Sequence, residues 1–101
     1  MEVTLEVSDE LLKSIKETLR VTHSNLDDHL RESTIDGMAE LQSLCGPLPF
    51  DGTTILGRKS IRLLKEYCLY SWNDLLSIFQ KDHISDIISL QLYAALHRGG
   101  E

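Results

Sequence analysis

Apolar residues recur at helical spacing along most of the chain, and this pattern predicts an all-α fold. A first helix is expected over residues 9–20, because a serine precedes it as a cap and acids fill its first turn. A second helix is expected over 25–45, where the apolar face ends at the stop signal Gly46-Pro47. Only residues 2–7 alternate like a strand, and that stretch is short and terminal.

The second half of the chain begins with an irregular loop over residues 45–57, where most of the Gly and Pro residues cluster. A third helix is expected over 59–81, about 33 Å long and the longest of the chain. A fourth helix is expected over 85–97. The pattern therefore predicts a single helical domain over residues 1–101, a small bundle of about four helices with a long third helix.

The third and fourth predicted helices carry apolar side chains around most of their circumference. In the third predicted helix these side chains include Tyr67, Tyr70, Trp72 and Phe79. A helix that is apolar on all sides is normally buried on all sides, and three partner helices can hardly bury two such helices. We therefore expect surplus apolar surface that neighbouring protein chains cover. The alternative is a single compact bundle with the third helix at its centre.

The charge of the chain is negative and unevenly placed. The net charge is −6, with ten acids and four bases in residues 1–50 but six of each in residues 51–101. An acidic chain repels phosphate, which disfavours tight non-specific binding to nucleic acid. There is no signal-peptide pattern and no apolar run near the roughly 20 residues of a membrane span. We expect a soluble, intracellular protein that does not bind a membrane.

No residue pattern points to an enzyme. Cys45 and Cys68 lack the spacing of paired metal ligands, so two buried, reduced thiols are expected. Asp27, Asp28 and His29 are consecutive, so on a helix their side chains fan apart and cannot close on one ion. No catalytic motif or phosphate-binding glycine loop is present. The sequence therefore predicts no enzymatic activity, no cofactor and no metal.

Two faces of opposite charge stand out among the predicted helices. Arg58, Arg62 and Lys65 share one face of the third helix. The second helix carries an acidic row that includes Asp28, Glu32 and Asp36. If these faces pair between copies, the contact is heterologous and can close into a ring. The alternatives are a solvated surface or a nucleic-acid contact, which the net charge disfavours.

The order and spacing of these features resemble the small head–tail connector proteins of tailed bacteriophages, also called head-completion or adaptor proteins. The similar elements are the "LRV" step at 19–21, the acidic "DDHL" helix start at 27–30 and a Gly turn after the second helix. The stretch over 62–92, with its Trp-Asn step, resembles the Gram-positive phage branch of the family. The resemblance spans about residues 8–96. The loop "FDGTTILG" and the short tail "LHRGGE" depart from the family pattern.

This resemblance implies a structural role in the virion. Members assemble as a ring, generally of twelve copies, beneath the portal protein, where they extend the DNA channel and dock the next head-completion or tail protein. DNA passes through such a ring without specific binding. The protein is then expected at the head–tail interface of the virion, and in the host cytoplasm during assembly.

The family likeness also implies functional residues. Members engage the portal with the C-terminal segment, which here comprises Leu96, His97, Arg98, Gly99, Gly100 and Glu101. The expected subunit interface comprises Asp28, Glu32, Asp36, Arg58, Arg62, Lys65, Tyr70 and Trp72. Two other functions compete with this interpretation: a small helical nucleic-acid-binding or regulatory protein, and a helical interaction module such as an antitoxin.

Overall fold

The structure, a computed structural model, describes residues 7–97, and within that range the fold is all-α with no strand. This confirms the predicted fold class. The helices are α1 (Asp9–Leu19), α2 (Asp27–Cys45), α3 (Ile55–Trp72), α4 (Phe79–Asp82) and α5 (Ile84–His97), with a 3-10 turn at Leu76–Ile78. The strand-like stretch over 2–7 lies, except for Val7, outside the described residues.

The start of α1 and the end of α2 are those that the sequence indicates, whereas α2 begins at Asp27, two residues after the predicted start, without a side-chain cap. The Ser8 hydroxyl accepts a hydrogen bond of 3.1 Å from the backbone N–H of Leu11, which caps α1. Helix α2 ends at Cys45, and Gly46 follows with a φ of 83°, a conformation that favours glycine. Lys16 of α1 pairs with Asp27 of α2 at 2.8 Å, so this acid serves to join the two helices.

The predicted third helix, 59–81, is wrong at its C-terminal end. Helix α3 stops at Trp72, where the Asn73 side chain donates a hydrogen bond of 2.8 Å to the Leu69 carbonyl. Asp74 then adopts a left-handed φ of 60°. This turn redirects the chain, so the aromatic run lies on two elements instead of one. As a result α2, with 19 residues, is one residue longer than α3.

The same prediction is wrong at the N-terminal end, because the loop residues before position 59 build a helix cap. The Asp51 carboxylate accepts hydrogen bonds from the backbone N–H groups of Thr53 and Thr54, at 3.1 and 3.0 Å. The Thr54 hydroxyl in turn accepts from the N–H of Gly57 at 2.9 Å. A Cβ at Gly57 would overlap the backbone oxygen and carboxylate of Asp51, so only glycine fits there.

Helix α3 occupies the centre of the fold and packs against α1, α2 and α5. Its crossing with α2 is close: a Cβ at Gly37 would lie 2.7 Å from the Tyr67 ring and 2.8 Å from a Leu64 methyl group. Both cysteines are buried, as predicted. Burial raises the pKa of the Cys68 thiol, and a contact of 3.6 Å with the Thr34 hydroxyl lowers it in part.

Candidate protein-binding surfaces

Helix α5 carries a row of exposed aliphatic side chains, which we call the aliphatic stripe. Its members lie four residues apart: Ile84 is 51% exposed, Ile88 47%, Leu92 62% and Leu96 73%. The opposite face of α5 is buried and packs against α2 and α3. Side chains at i, i+4 spacing form a continuous ridge, which is the feature that most often packs against a second helix.

The aliphatic stripe carries no charge. The charged or chargeable groups of α5 nearest to it in sequence are Asp86 and His97, and both lie off the stripe on a helical projection. The His97 ring stacks on the Tyr93 ring, with the ring centroids 4.1 Å apart. Depletion of charge around exposed apolar groups is typical of the core of a protein interface.

The aromatic side chains of α3, in contrast, are used inside the fold. Phe79 is only 2% exposed, and it meets the edges of Tyr67 and Tyr70 at centroid distances of 5.3 and 5.7 Å. Tyr70 donates a hydrogen bond of 2.8 Å to Asp82, and this bond raises the pKa of the Tyr70 hydroxyl. Trp72 is half-buried against the same core. The aromatic side chains predicted for the third helix are therefore covered within the chain, whereas Leu75, Leu76 and Ile78 of the following turn remain 40–43% exposed.

The C-terminal residues expected to engage the portal are only partly described. Leu96 is the most exposed member of the aliphatic stripe, and His97 is also exposed. The other four residues of this segment lie outside the described residues: Arg98, Gly99, Gly100 and Glu101. Sequence reasoning singled out Leu96 but missed Ile84, Ile88 and Leu92 as a group. Their regular spacing of four was the signal that could have found them.

The predicted acidic row lies on the outer face of α2, and we call it the acidic ridge. It consists of Asp28, Glu32 and Asp36, all three of them exposed. None of the three forms a hydrogen bond or ion pair with any residue between 7 and 97. The acidic ridge is therefore available to a partner.

The predicted basic cluster lies on the outer face of α3, and we call Arg58, Arg62 and Lys65 the basic ridge. Arg58 and Arg62 are exposed and Lys65 is half-buried. Arg58 donates from Nε to the Gly52 carbonyl at 3.0 Å, which leaves its terminal nitrogens unused. Within the described chain Arg62 and Lys65 have no hydrogen-bonded or ion-paired partner. The neighbouring Lys59 lies instead over the Tyr93 ring, 5.3 Å from its centroid.

A groove of about 380 Å³ lies between α3 and α5, and Arg62 lines it on the α3 side. His83 lies in its wall, where it is buried and stacks on Phe79 at a centroid distance of 4.7 Å. Its Nε2 is 3.1 Å from the Glu66 carboxylate and its Nδ1 is 3.1 Å from the Phe79 carbonyl. His83 occupies the turn between α4 and α5, and its side chain links this turn to Glu66 of α3.

The described residues offer no metal site, since no three His, Cys, Asp or Glu side chains between 7 and 97 are placed to hold an ion. In the same range, each helix is too short or too polar to cross a lipid bilayer. No protein family, no curated protein and no solved structure matches the chain.

Proposed function

We propose that this chain is a subunit of a protein assembly and that α5 is the helix that binds another protein. The aliphatic stripe carries this proposal. Four large apolar side chains, each about half exposed or more, line one uncharged helix face. Such a contiguous patch marks a protein-binding surface more often than a surface in contact with water.

Within that class, we propose a head–tail connector of a tailed bacteriophage, which assembles as a ring under the portal protein and docks the next connector or tail component. The sequence resemblance supports this assignment. The exposed Leu96 supports it further, because it continues the aliphatic stripe into the segment that connector proteins use against the portal. An acidic subunit also suits a channel through which DNA must slide, since the phosphates gain no counterion release there.

The size of the aliphatic stripe indicates how the assembly forms. Its exposed fractions together equal between two and three whole side chains, whose burial stabilises a contact by about 3–7 kcal/mol. Association of two free proteins costs about 4–15 kcal/mol in lost freedom of motion. The stripe alone therefore gives weak binding. We expect a free protein that is largely monomeric and a ring that forms on the preassembled portal.

The test is binding to purified portal rings encoded by the same genome, measured by co-sedimentation. The double variant I88Q/L92Q removes half of the aliphatic stripe without adding charge. We expect its affinity to fall by about tenfold or more, which corresponds to the loss of about 1.4 kcal/mol of apolar burial. A matched control is Leu26→Gln, because Leu26 is 42% exposed at the start of α2 and lies off the stripe.

Equal binding by I88Q/L92Q and the wild type, with normal circular dichroism, would contradict the role of α5. A stable oligomer of the isolated wild type at about 150 mM salt, where exposed ion pairs are screened, would contradict only the templated assembly. A genome that encodes the chain with no portal gene beside it would contradict the connector assignment and leave the interaction module.

A further inference from the structure

We infer that the acidic ridge of one copy binds the basic ridge of the next copy in a head-to-tail contact. This inference deepens the proposed function, because a ring needs a contact between its subunits, and it rests on that function for ring closure. The contact itself uses α2 and α3 and does not involve the aliphatic stripe of α5.

The two ridges lie on opposite sides of the α2–α3 pair. These helices touch where Thr34 meets Cys68 and where Gly37 meets Leu64. At about 100° per residue, Glu32 projects about 160° away from Thr34 around α2. Arg62 projects by the same angle, about 160°, away from Leu64 around α3. Glu32 and Arg62, the central members of the two ridges, therefore point away from the other helix and cannot pair with each other within one chain.

Complementary patches on opposite sides of a subunit add further subunits in one direction. A contact of this kind is heterologous, and it closes into a ring when the rotation between neighbours allows it. A twofold dimer buries the same patch of both subunits, so with the ridges on opposite sides its interface could hold only one of them, acid against acid or base against base. The charges thus favour a head-to-tail arrangement over a twofold one.

The two ridges also match in length. The acidic ridge advances by four residues at each step and spans about 12 Å between Asp28 and Asp36. The basic ridge spans about 10 Å between Arg58 and Lys65. Among the nearby charged groups, Arg31 of α2 is paired with Asp9, and Glu66 and Asp86 line the same groove as Arg62 without forming an ion pair with it. A second copy satisfies both ridges with a single contact, whereas a nucleic acid would satisfy only the basic one.

Ion pairs between exposed side chains are individually weak and are screened by salt. Self-association of the free protein is therefore expected at high protein concentration and low ionic strength. Sedimentation equilibrium at about 20 and 500 mM salt measures it. We expect the wild-type association constant to fall by about tenfold or more between the two conditions.

Charge reversal tests the direction of the contact. The acid-reversed variant D28K/E32K presents two basic faces, and the base-reversed variant R58E/R62E presents two acidic faces. We expect each variant alone to be monomeric at low salt and an equimolar mixture to associate. Both variants remain net acidic, since the wild-type charge is −6 and each double substitution changes it by four. General attraction between unlike proteins therefore cannot produce the association.

Three outcomes would overturn the inference: a wild type that stays monomeric at low salt, a single variant that associates like the wild type, or a mixture that stays monomeric. Circular dichroism of each variant identifies any that fails to fold, and the single reversals E32K and R62E then replace it. I88Q/L92Q is expected to keep the wild-type salt-dependent association. This variant therefore distinguishes a failure of the proposed binding through α5 from a failure of the proposed contact between the ridges.

Discussion

Helices α3 and α5 have similar sequences in one respect, since both are apolar around most of their circumference, yet their surroundings differ. Helix α3 packs against three other helices, and its aromatic residues meet Phe79 inside the fold. Helix α5 packs mainly on α2 and α3 and leaves the aliphatic stripe exposed. Apolar residues on all sides thus predict burial only where the fold supplies neighbours on all sides.

The difference follows from the position of each helix in the chain. Helix α3 lies between elements that return to it from both directions, with α1 and α2 before it and the turn at 73–78 after it. Among residues 7–97 α5 is the last element, and no described element covers its outer face. The surplus apolar surface that the sequence indicates for two helices is therefore largest on α5, and a smaller part lies at Leu75, Leu76 and Ile78 after α3.

The largest expected effect comes from the same substitution made in both helices. Leu64→Ala on α3 removes a fully buried side chain and should reduce the free energy of unfolding by about 2–5 kcal/mol. Leu92→Ala on α5 removes a side chain that is 62% exposed and should change it by no more than about 0.5 kcal/mol. Urea unfolding of the free protein measures both. Similar losses at the two positions would refute the contrast between the helices.

A smaller effect is expected where α2 crosses α3. Gly37→Ala places a methyl group against Tyr67 and Leu64, and these side chains or the helices that carry them must shift to accept it. We expect a loss of about 1–3 kcal/mol in the free energy of unfolding, although alanine is the better helix former. The matched control is Ala39→Gly on the exposed face of α2, which should cost about 1 kcal/mol from helix propensity alone. A more stable Gly37→Ala variant would show that the two helices are not in close contact.

A third substitution tests where α3 ends. Asp74 has a left-handed φ of 60°, so Asp74→Gly should stabilise the protein by about 0.5–1 kcal/mol. Ser71→Gly, inside the last turn of α3, should destabilise it by a similar amount. Thermal unfolding followed by circular dichroism compares the two. If both variants lose stability, the helix continues through position 74 as the periodicity first indicated.

The smallest effect concerns the cap that starts α3. The N–H of Thr54 is the main cause of a lowered pKa for Asp51, with an ordinary value of 3.8, and Thr53 adds to it. A lowered pKa in the folded state stabilises the protein above pH 3.8, and this stabilisation is lost as the pH falls through the folded value. The wild type should therefore lose more stability than Asp51→Asn between about pH 4 and pH 2. If the stability of the two proteins falls in parallel over this pH range, the role assigned to the Asp51 carboxylate is contradicted.

Much of the fold could be predicted from the sequence because its signals are local. Ser8 before an acidic first turn and Gly46 after the last apolar residue mark helix ends through backbone hydrogen bonds and glycine conformation. The end of α3 escaped prediction because Asn73 and Asp74 resemble polar interruptions within a helix. The left-handed backbone of Asp74 accompanies a contact of Phe79 with Tyr67 and Tyr70, residues that lie far apart on the predicted helix.

The candidate surfaces could be predicted only in part, and for a related reason. The charges of Glu32 and Arg62 can be placed on helix faces by spacing alone, but only the packing of α2 on α3 shows that these faces point apart. The spacing of the aliphatic stripe is equally visible in the sequence. Its exposure depends on which side of α5 the rest of the chain covers, and no local pattern encodes that choice.

The most direct test of the central claim, that another protein covers the aliphatic stripe, is the rate of thiol labelling at two positions. In Leu92→Cys the new thiol lies on the stripe, and in Leu26→Cys it lies elsewhere on the surface; the native cysteines are buried. We predict that binding to portal rings slows labelling of the Leu92→Cys variant by about tenfold or more and leaves the Leu26→Cys variant unchanged. Equal labelling of the Leu92→Cys variant in the free and the bound protein would contradict the claim.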